Sequence, residues 1–509
     1  MGYAKVFGAQ TQLLSSTTIH IEADISRGLH SFVIVGLANK SVEESRDRVS
    51  AAIKNSGLTS PKQHNRKVVI SLSPADMRKE GPLFDVAIAI AYLLAAEEIV
   101  PHPDFHVGES MFLGELSLDG RVRPIKGILP IVLHAKKYGF KKIFIPFENS
   151  DEAKAVRGIE IYGAHTLRDI IDHLSGTAYL KAIEHGTEKV FSGTRQAVDI
   201  DFKDIRGQDL AKRGLEIAAA GKHNVALYGP PGSGKTMLAK AFRHILPPLS
   251  FEESMEVTSI YSSRENLKGI VHEPPFRSPH HLSSTSAICG GGNPLRAGEI
   301  TLAHKGVIFL DEFPEFKRDA IESLREPLEE KSISISRAGG TVRFPADIIL
   351  IAAMNPCPCG FYDSQSDPNV RSRCVCTRQA IASYCKKLSG PIVDRIDMWI
   401  NIPKVRIDAL RRDDGFKKSP AEDTLTIRER VESARKRTLG IKTRNENMEM
   451  GAEAEIVLQK SARELGISAR RYGRIVRLAG TIACMASSQK ITEAHILEAL
   501  QYRPATENY

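Results

Sequence analysis

The sequence predicts a multidomain protein of mixed α/β and α+β class, and three observations lead to that prediction. Residues 1–180 alternate strand-like runs of period two with helical patterns, which is typical of an α+β domain. Within residues 205–403, short apolar strands alternate with loops and helices, which predicts an α/β core. Residues 452–505 are helical throughout and predict a small helical domain. We expect a polar linker at 181–204 and a basic connection at 404–451.

Length, charge and cysteine content narrow the class of protein. At 509 residues the chain has room for about three domains with their own cores. Lys and Arg number 70 against 61 Asp and Glu, a net charge of +9 that permits a polyanionic partner without demonstrating one. The sequence shows neither a signal-like amino terminus nor an apolar run of membrane length, so we expect a cytoplasmic location and no membrane partner.

The amino-terminal domain is predicted from alternating strand and helix signals. Residues 17–25 alternate with period two and predict a strand, and 41–56 predict a single helix. Residues 84–96 form a continuous apolar run that is long enough for a buried helix. A hairpin is expected to turn at Asp119 and Gly120. These signals alone assign no chemistry to the domain.

The most informative stretch is 224–236, NVALYGPPGSGKT. It places the pattern G-x-x-x-x-G-K-[ST] between a predicted strand and a predicted helix, which is the context of a phosphate-binding loop. There, backbone N–H groups converge on phosphate oxygens, Lys235 reaches the β and γ phosphates, and Thr236 ligates Mg²⁺. The alternative is a glycine-rich turn that merely starts a helix. The predicted phosphate-binding residues are Gly229, Pro230, Pro231, Gly232, Ser233, Gly234, Lys235 and Thr236.

Two further strands are predicted to bring polar side chains to the same site. The run GVIFLDEF ends a buried strand in Asp311, expected to hold Mg²⁺, and Glu312, expected to orient and deprotonate the attacking water. The alternative is a core strand that ends in a solvated acidic turn. The next strand, 348–354, ends in Asn355, which is expected to hold the water or the γ-phosphate, or else to cap the following turn.

A hairpin is predicted between these strands, at 332–346. It carries Lys331, Arg337 and Arg343, with no acidic residue from 332 to 346. A protruding basic hairpin suits a nucleic-acid backbone, because Lys and Arg displace condensed counterions there. A merely solvated hairpin explains the pattern equally well.

Four of the seven cysteines form a cluster directly after Asn355. Two C-x-C pairs separated by fourteen residues supply four thiolates, which suit tetrahedral Zn²⁺, although C-x-C is tighter than the commoner C-x₂-C. The alternative is unligated or redox-active thiols. We assign no metal role to the adjacent histidines His280 and His281 of an earlier loop, and expect of them only a substrate or subunit contact. The predicted zinc ligands are Cys357, Cys359, Cys374 and Cys376.

The segments KEGPLFDVAIAIAYLLA and GELSLDGRVRPIKGILPIVLHAKKYGFKKIFIPFEN resemble the proteolytic domain of the Lon protease family, which shares its fold with ribosomal protein S5 domain 2. The resemblance implies a Lon-like fold for residues 1–180. In that family these segments supply a serine nucleophile and a lysine base, and the matching positions here are Leu83 and Leu129. Because a leucine can neither attack a carbonyl nor take a proton, we expect a domain without the protease dyad.

Taken together, the phosphate-binding loop, the acidic strand, the hairpin and the segments FRSPHHLSSTSAICGGG and SGPIVDRID resemble the magnesium-chelatase-like AAA+ family. Within it the match is to a bacterial group of competence-associated branch-migration helicases. The resemblance implies an AAA+ core and helical lid, ATP and Mg²⁺ as cofactors, homo-hexameric rings and DNA as partner.

The same resemblance assigns roles to two arginines. Arg395 matches the arginine that reaches the γ-phosphate of a neighbouring subunit, and its alternative role is a salt bridge with Asp394 or Asp397. Arg470 matches the lid arginine expected to contact nucleotide in its own subunit, with a plain basic surface as the alternative.

Two other functions stay open at this stage. One is a chelatase-type motor subunit for metal insertion into a tetrapyrrole, which the Lon-like domain disfavours. The other is an ATP-dependent protease, which Leu83 and Leu129 disfavour.

Overall fold

The computed structural model divides by its internal contacts into two compact units. Unit 1 consists of Met1–Gly193 and Phe251–His272, and unit 2 of Thr194–Ser250 and Glu273–Tyr509. In the described part of the chain, no helix combines the length and the apolar character needed to cross a bilayer. Within the predicted linker and basic connection, 186–197, 405–421 and 444–447 lie outside the described residues. The structure describes residues 2–12, 15–63, 65–75, 77–185, 198–267, 269–292, 295–337, 340–362, 374–404, 422–443 and 448–503.

Unit 1 alternates strands with helices. Its strands are β1 (Gly2–Gln12), β2 (Ser15–Arg27), β3 (Ser31–Val35), β4 (Arg66–Ser73), β5 (Ser110–Phe112), β6 (Glu115–Leu116), β7 (Val122–Arg123), β8 (Lys142–Pro146) and β9 (Glu160–Ala164). Its helices before residue 193 are α1 (Lys40–Glu43), α2 (Ser45–Asn55), α3 (Asp85–Ala95), α4 (Ile128–Lys137), α5 (Ser150–Ala153) and α6 (Leu167–Ser175).

The later part of the chain contains the remaining elements. The helices are α7 (Asp209–Gly221), α8 (Lys235–Ile245), α9 (Phe251–Ser262), α10 (Thr285–Cys289), α11 (Glu299–Leu302), α12 (Arg318–Glu322), α13 (Arg325–Glu330), α14 (Arg378–Cys385), α15 (Gly390–Val393), α16 (Thr424–Thr443), α17 (Ala452–Glu464), α18 (Ala469–Met485) and α19 (Glu493–Gln501). The strands are β10 (Val225–Tyr228), β11 (Phe276–Arg277), β12 (Gly290–Gly291), β13 (Arg296–Ala297), β14 (Val307–Leu310), β15 (Ser332–Arg337), β16 (Gly340–Pro345), β17 (Ile349–Met354), β18 (Met398–Asn401), β19 (Glu449–Met450) and β20 (Lys490–Ile491).

A mixed seven-stranded sheet forms the centre of unit 1, in the order β3-β4-β2-β1-β5-β8-β9. The antiparallel pairs β1 with β2 and β2 with β4 are its longest ladders. The period-two pattern predicted for β2 is confirmed, because its inward residues Ile19, Ile21, Ala23 and Ile25 are buried. The apolar helix α3 packs against β1 and β2, as its buried composition predicts.

The first turn of α3 contains a buried carboxylate. Asp85 is fully buried, and Arg48 of α2 donates to both its oxygens, over 2.7 and 3.1 Å. The backbone N–H of Leu116 adds a third hydrogen bond at 3.1 Å. Because a buried charge needs a partner, these bonds hold α2, α3 and β6 together.

A second buried carboxylate lies where the sequence places the missing protease base. The N–H of Leu129, in the first turn of α4, donates to Glu152 Oε1 over 3.0 Å. Helix α9 packs on α4, and the N–H of Gly127 donates to Ser262 O at 2.8 Å. Residues 251–272 fall within the range predicted for the α/β core, but their contacts are made in unit 1.

The central sheet of unit 2 is parallel and has the order β11-β14-β17-β10-β18. Strands β14 and β17 are buried along their whole length, as expected of parallel strands that are covered on both faces. Helices α7, α16 and α18 pack against one another, and apolar residues of α17 to α19 share the hydrophobic core of the sheet. The predicted α/β core and helical carboxy-terminal segment are both present.

Glu152 provides a test of this packing through pH. Burial raises the pKa of Glu152 from its usual 4.5 to about 7. The folded state therefore holds the proton more tightly than the unfolded state, so stability falls as pH rises from about 4.5 to about 7, by up to about 3 kcal/mol. We expect Glu152→Gln to remove this slope and to raise the melting temperature at about pH 8, measured in thermal melts across this range. Glu148→Gln, at an exposed position nearby, is the control and should leave the slope intact. A Glu152→Gln variant that melts lower than the parent at about pH 8 would contradict the expectation.

Candidate functional site

The phosphate-binding loop begins where β10 ends. The Gly229 N–H donates to Met354 O at 3.3 Å, which joins the loop to the end of β17. A Cβ on Gly229 would lie 2.2 Å from Ile402 O, so a side chain is excluded there. Gly232 and Gly234 have φ of +73° and +96°, the left-handed region that glycine tolerates. The backbone geometry of the loop therefore requires glycine at these three positions.

Lys235 is buried in the first turn of α8, and its ammonium group lies inside the loop. It donates to Gly229 O at 2.7 Å, Pro230 O at 2.9 Å and Asn355 Oδ1 at 3.1 Å. Burial lowers the pKa of Lys235, and the charge of Asp311 opposes that change. Among the described residues, the buried Ser233 Oγ has no hydrogen-bond partner. A buried cation and an unpaired buried hydroxyl at a helix N-terminus form a site suited to phosphate oxygens.

The predicted magnesium ligands are in direct contact. Thr236 Oγ1 donates to Asp311 Oδ2 at 2.8 Å, which joins the start of α8 to the end of β14. A hydroxyl and a carboxylate at this separation are hard oxygen donors of the kind that Mg²⁺ prefers. The next residue, Glu312, has φ of +53°, and this left-handed conformation turns the chain sharply after the strand.

Glu312 has a partner that the sequence did not reveal. His281 Nδ1 lies 3.3 Å from Glu312 Oε2, and the His281 ring packs against that of His280, with centroids 4.2 Å apart and planes tilted by 32°. The sequence predicts only a substrate or subunit contact for this histidine pair. Sequence spacing alone could not show that His281 lies near Glu312, because α10 and α11 separate His281 from β14 along the chain.

The four predicted zinc ligands converge. Their sulfur atoms all lie within 4.8 Å of one another, with separations of 3.3 Å for Cys357 to Cys359 and 3.8 Å for Cys357 to Cys374. Four thiolates at about 2.3 Å from a tetrahedral zinc would be about 3.8 Å apart, so the cluster fits that ion. Residues 363–373, between the two C-x-C pairs, lie outside the described residues.

The cysteine cluster is adjacent to the phosphate-binding loop. Gly360 has φ of +81°, and a Cβ there would lie 2.6 Å from Pro231 Cδ and 3.7 Å from Asn355 Cγ. The turn that carries Cys357 and Cys359 therefore packs directly on the loop. A side chain added at Gly360 would therefore require Pro231 to shift.

Arg395 lies at the other edge of the sheet. Its carbonyl accepts a hydrogen bond of 3.1 Å from the side chain of Asn224, the residue before β10, whereas the loop begins after β10. The rise of a strand separates these ends by about 16 Å. The Arg395 side chain is 7% exposed and pairs with Glu329, Nη2 to Oε2 at 2.6 Å.

The salt bridges that the sequence offered as an alternative for Arg395 are wrong in their partners. Asp394 pairs with Arg471 at 3.3 Å, and Asp397 with Arg474 at 3.8 Å. The sequence could not indicate Glu329, because α13 lies far from Arg395 along the chain and only the fold brings the two side chains together.

Arg470, the predicted lid arginine, meets the same carboxylate. Its Nη2 donates to Glu329 Oε1, so two arginines share one acid. The guanidinium of Arg395 first, and that of Arg470 with it, hold the pKa of Glu329 below its usual range. The structure thus brings Lys235, Thr236, Asp311, Glu312 and Asn355 to one edge, and Arg395 and Arg470 together at another.

The predicted hairpin is present as β15 and β16, paired from Ser332 with Pro345 to Arg337 with Gly340. Its cations are partly neutralised. Lys331 Nζ lies 3.0 Å from Asp347, and Arg343 Nη2 lies 3.6 Å from Glu330. Although burial opposes it, Lys331 and Lys305 lower the pKa of Asp347 to about 2. The side chain of Arg337 lies outside the described residues.

Three family models match successive parts of the chain. Residues 201–410 match the model described as magnesium chelatase, subunit ChlI. Residues 21–149 match subunit ChlI of Mg-chelatase, and residues 421–503 match the ChlI carboxy-terminal model. The candidate site residues fall within 201–410 and 421–503.

Curated relatives match over nearly the full chain. The competence protein ComM of Haemophilus influenzae is 37% identical over 99% of this chain and 98% of its own length. The uncharacterised protein YifB of Escherichia coli is 37% identical over 96% of this chain and 95% of its own. A magnesium-chelatase 67 kDa subunit of Chlorobaculum parvum is 30% identical over 31% of this chain and 23% of its own.

The contact between Gly360 and Pro231 gives a test of the site geometry. Gly360→Ala requires a left-handed alanine and a shift of Pro231, so we expect the Kd for ATP to rise about tenfold. Binding of a fluorescent ATP analogue to the full chain measures this. The control is Gly390→Ala, where a Cβ meets nothing within 4 Å. An unchanged Kd in the Gly360 variant would show that the two loops are not coupled.

Proposed function

This chain belongs to the magnesium-chelatase-like AAA+ family, in the group that contains ComM and YifB, and from that membership we propose that it is an ATP-driven ring motor acting on DNA. The family relationship makes the chain an AAA+ ATPase. The motor activity, the ring and the DNA substrate are the proposal. The observation that carries it is the convergence of Lys235, Thr236, Asp311 and Asn355 at the ends of three adjacent parallel strands.

In the proposed mechanism, the loop N–H groups and the Ser233 hydroxyl bind the phosphates of ATP. Lys235 exchanges its bonds to the carbonyl oxygens of Gly229 and Pro230 for the β- and γ-phosphate oxygens. Thr236 and Asp311 would hold Mg²⁺, which neutralises charge on the phosphates when bound. Asn355 is placed to hold the γ-phosphate or the attacking water, because it already contacts Lys235.

Glu312 is the proposed general base. It orients a water molecule in line with the γ-phosphate and takes its proton. His281 Nδ1 lies 3.3 Å from Glu312 Oε2, and in the proposed mechanism this neighbour helps to orient the base.

The position of Arg395 supports a ring. An arginine at the far edge of the sheet is about 16 Å of strand from its own loop, yet phosphoryl transfer gains from a guanidinium at the γ-phosphate. A ring of copies would bring the two together, because Arg395 of one subunit would contact the γ-phosphate of the nucleotide bound to the next subunit. Arg470 lies with Arg395, which favours action on the neighbour's nucleotide over the contact within its own subunit that the sequence predicts. We propose a homo-hexamer, as the family resemblance implies.

DNA is the proposed substrate. Lys331 and Arg343 of the β15–β16 hairpin region are more than three-fifths exposed, and the chain carries a net charge of +9. Both basic side chains have acidic partners. Arg343 and Glu330 form an exposed pair, which is weak and exchanges readily for a phosphate, whereas the Lys331 pair involves Asp347, which is only 16% exposed. The family resemblance implies movement of branched DNA, and we propose branch migration in recombination or natural transformation.

We also propose a structural zinc ion at the four cysteines. Their sulfur separations fit tetrahedral coordination, and the turn they hold packs on Pro231 and Asn355. The ion would fix that turn and take no part in hydrolysis.

One other function is favoured by a specific observation. The matching family models are described as magnesium chelatase subunits, so a chelatase-type motor that serves metal insertion into a tetrapyrrole is the second candidate. An ATP-dependent protease is less compatible, because Leu129 is fully buried and its N–H binds Glu152. A tetrapyrrole-binding partner recovered without DNA stimulation of the ATPase would favour the chelatase candidate.

The ATPase assignment predicts different outcomes at two residues. Lys235→Ala should lose ATP binding, because the buried ammonium is the main positive charge in the loop. Glu312→Gln should bind ATP normally and hydrolyse it about 10²- to 10⁴-fold more slowly.

The ATPase rate is also measured without a polymer and with single-stranded, duplex and four-way-junction DNA. We expect branched DNA to raise the ATPase rate of the parent protein. Glu315→Gln, which alters a surface pair with Lys387, is the matched control. Normal hydrolysis by Glu312→Gln would refute the assignment, and a lack of stimulation by every polymer would refute the DNA substrate.

The zinc proposal predicts a metal content of about one zinc per chain. Cys357→Ser should abolish it, whereas Cys385→Ser, at a buried cysteine packed beside the cluster, should retain it. Elemental analysis of purified protein measures the metal. Equal zinc in both variants, or none in the parent, would show that the cluster is not a zinc site.

A further inference from the structure

Glu329 of α13 is shared by two arginines from distant parts of unit 2. Its Oε2 lies 2.6 Å from Arg395 Nη2, and its Oε1 accepts a hydrogen bond from Arg470 Nη2. The Arg395 side chain is only 7% exposed, against 40% for Glu329 and 53% for Arg470. A charge as buried as Arg395 needs a counter-ion, and Glu329 supplies it.

The rest of the Arg395 guanidinium is also engaged. Its Nε donates to Arg325 O at 3.3 Å, and its Nη1 donates to Pro391 O at 2.5 Å. Each of its three nitrogens thus has an acceptor within its own subunit, and two of the acceptors belong to α13. The group assigned to a neighbour's γ-phosphate is held by internal acceptors instead.

The same short helix contacts the basic hairpin. Glu326 Oε1 accepts a hydrogen bond of 2.9 Å from the Ser334 N–H of β15, and Glu330 pairs with Arg343 of β16. Lys331, at φ of +56°, ends α13 and leads directly into β15. Three carboxylates of one helix therefore connect the hairpin on one side with the arginine pair on the other.

We propose that Glu329 is an internal counter-ion, which binds Arg395 and Arg470 in place of a neighbouring subunit's γ-phosphate. Binding of a nucleic acid to the β15–β16 hairpin would move α13 and so release the two arginines from Glu329. This inference rests on the proposed function and concerns the regulation of that same site. Carboxylate and phosphate are both anions that a guanidinium binds through paired hydrogen bonds, so they compete for these arginines. Binding of a nucleic-acid backbone at the hairpin would displace Arg343 from Glu330 and move α13.

Removing the competing charge should release the arginines without DNA. We expect Glu329→Gln to raise the ATPase rate in the absence of DNA at least about fivefold, the lower end of a typical coupling between sites. The additional stimulation by DNA should shrink toward none. Adding Arg395→Ala to Glu329→Gln should lower both rates below those of the parent, because the gain depends on that guanidinium.

Controls separate this effect from a loss of structure. Glu322→Gln removes a carboxylate from the adjacent helix, where Glu322 Oε2 lies 3.4 Å from Arg325 Nη1, and should change neither rate. If Glu329→Gln is less stable in thermal melts, Glu329→Asp decides. It keeps the charge beside Arg395 but is one methylene too short to hold both arginines, and it should also raise the rate without DNA. If the folded Glu329 variant has an ATPase rate without DNA that is at or below that of the parent, the inference is overturned.

The outcomes also separate this inference from the proposed function. If DNA stimulates the parent but Glu329→Gln behaves like the parent, the inference fails and the DNA motor stands. If DNA fails to stimulate the parent but the Glu329→Gln rate rises, the counter-ion role stands and the DNA substrate fails.

Discussion

All five strands of the central sheet in unit 2 run in the same direction, and this common direction decides where each charged group of the site lies. The carboxyl ends of β10, β14 and β17 meet at one edge, so the loop, Asp311 and Asn355 meet there too. Residues that precede the amino ends of these strands, as Arg395 precedes β18, are separated from that edge by the length of a strand. One subunit therefore places the loop and Arg395 at opposite ends of the strands.

The Lys235 ammonium holds the phosphate-binding loop in shape. A buried cation is costly unless hydrogen-bond acceptors surround it. Two loop carbonyls and the Asn355 amide oxygen accept its hydrogens, and the Asn355 strand leads on to the cysteine turn that packs against Pro231. The loop is thus preorganised by contacts that phosphate would replace, and its shape depends on the strand next to it. The buried Arg395 guanidinium follows the same principle at the other edge, where Glu329 is its acidic partner.

Much of the site could be predicted because its signals are local. The pattern around Lys235, the strand end at Asp311 and the strand end at Asn355 each lie within about ten residues, and the parallel-sheet rule predicts that they meet. The four cysteines could be grouped from spacing alone, and the structure brings their sulfur atoms together. The Lon-like character of residues 1–180 and the roles assigned to individual site residues stay predictions.

The remainder depended on contacts between distant segments. Glu329 and His281 carry no pattern of their own, and only the fold places them beside Arg395 and Glu312. The strand β1 was not predicted, because its sequence GYAKVFGAQTQ mixes glycines and polar residues, and its pairing with β2 decides its structure. The single helix expected at 41–56 is two helices, α1 and α2, divided at Glu44.

The path of the chain through α9 has a consequence for how the two units can be separated. Because Phe251–His272 leaves unit 2 and returns to it, the chain passes between the units at three places, after residues 193, 250 and 272. A single proteolytic cut at any one of them would not release a complete unit. A truncated protein that begins after residue 193 would keep α9 but lose the apolar surface of α4 on which Met255 packs. Removing unit 1 completely would therefore require deletions both before residue 194 and within residues 251–272.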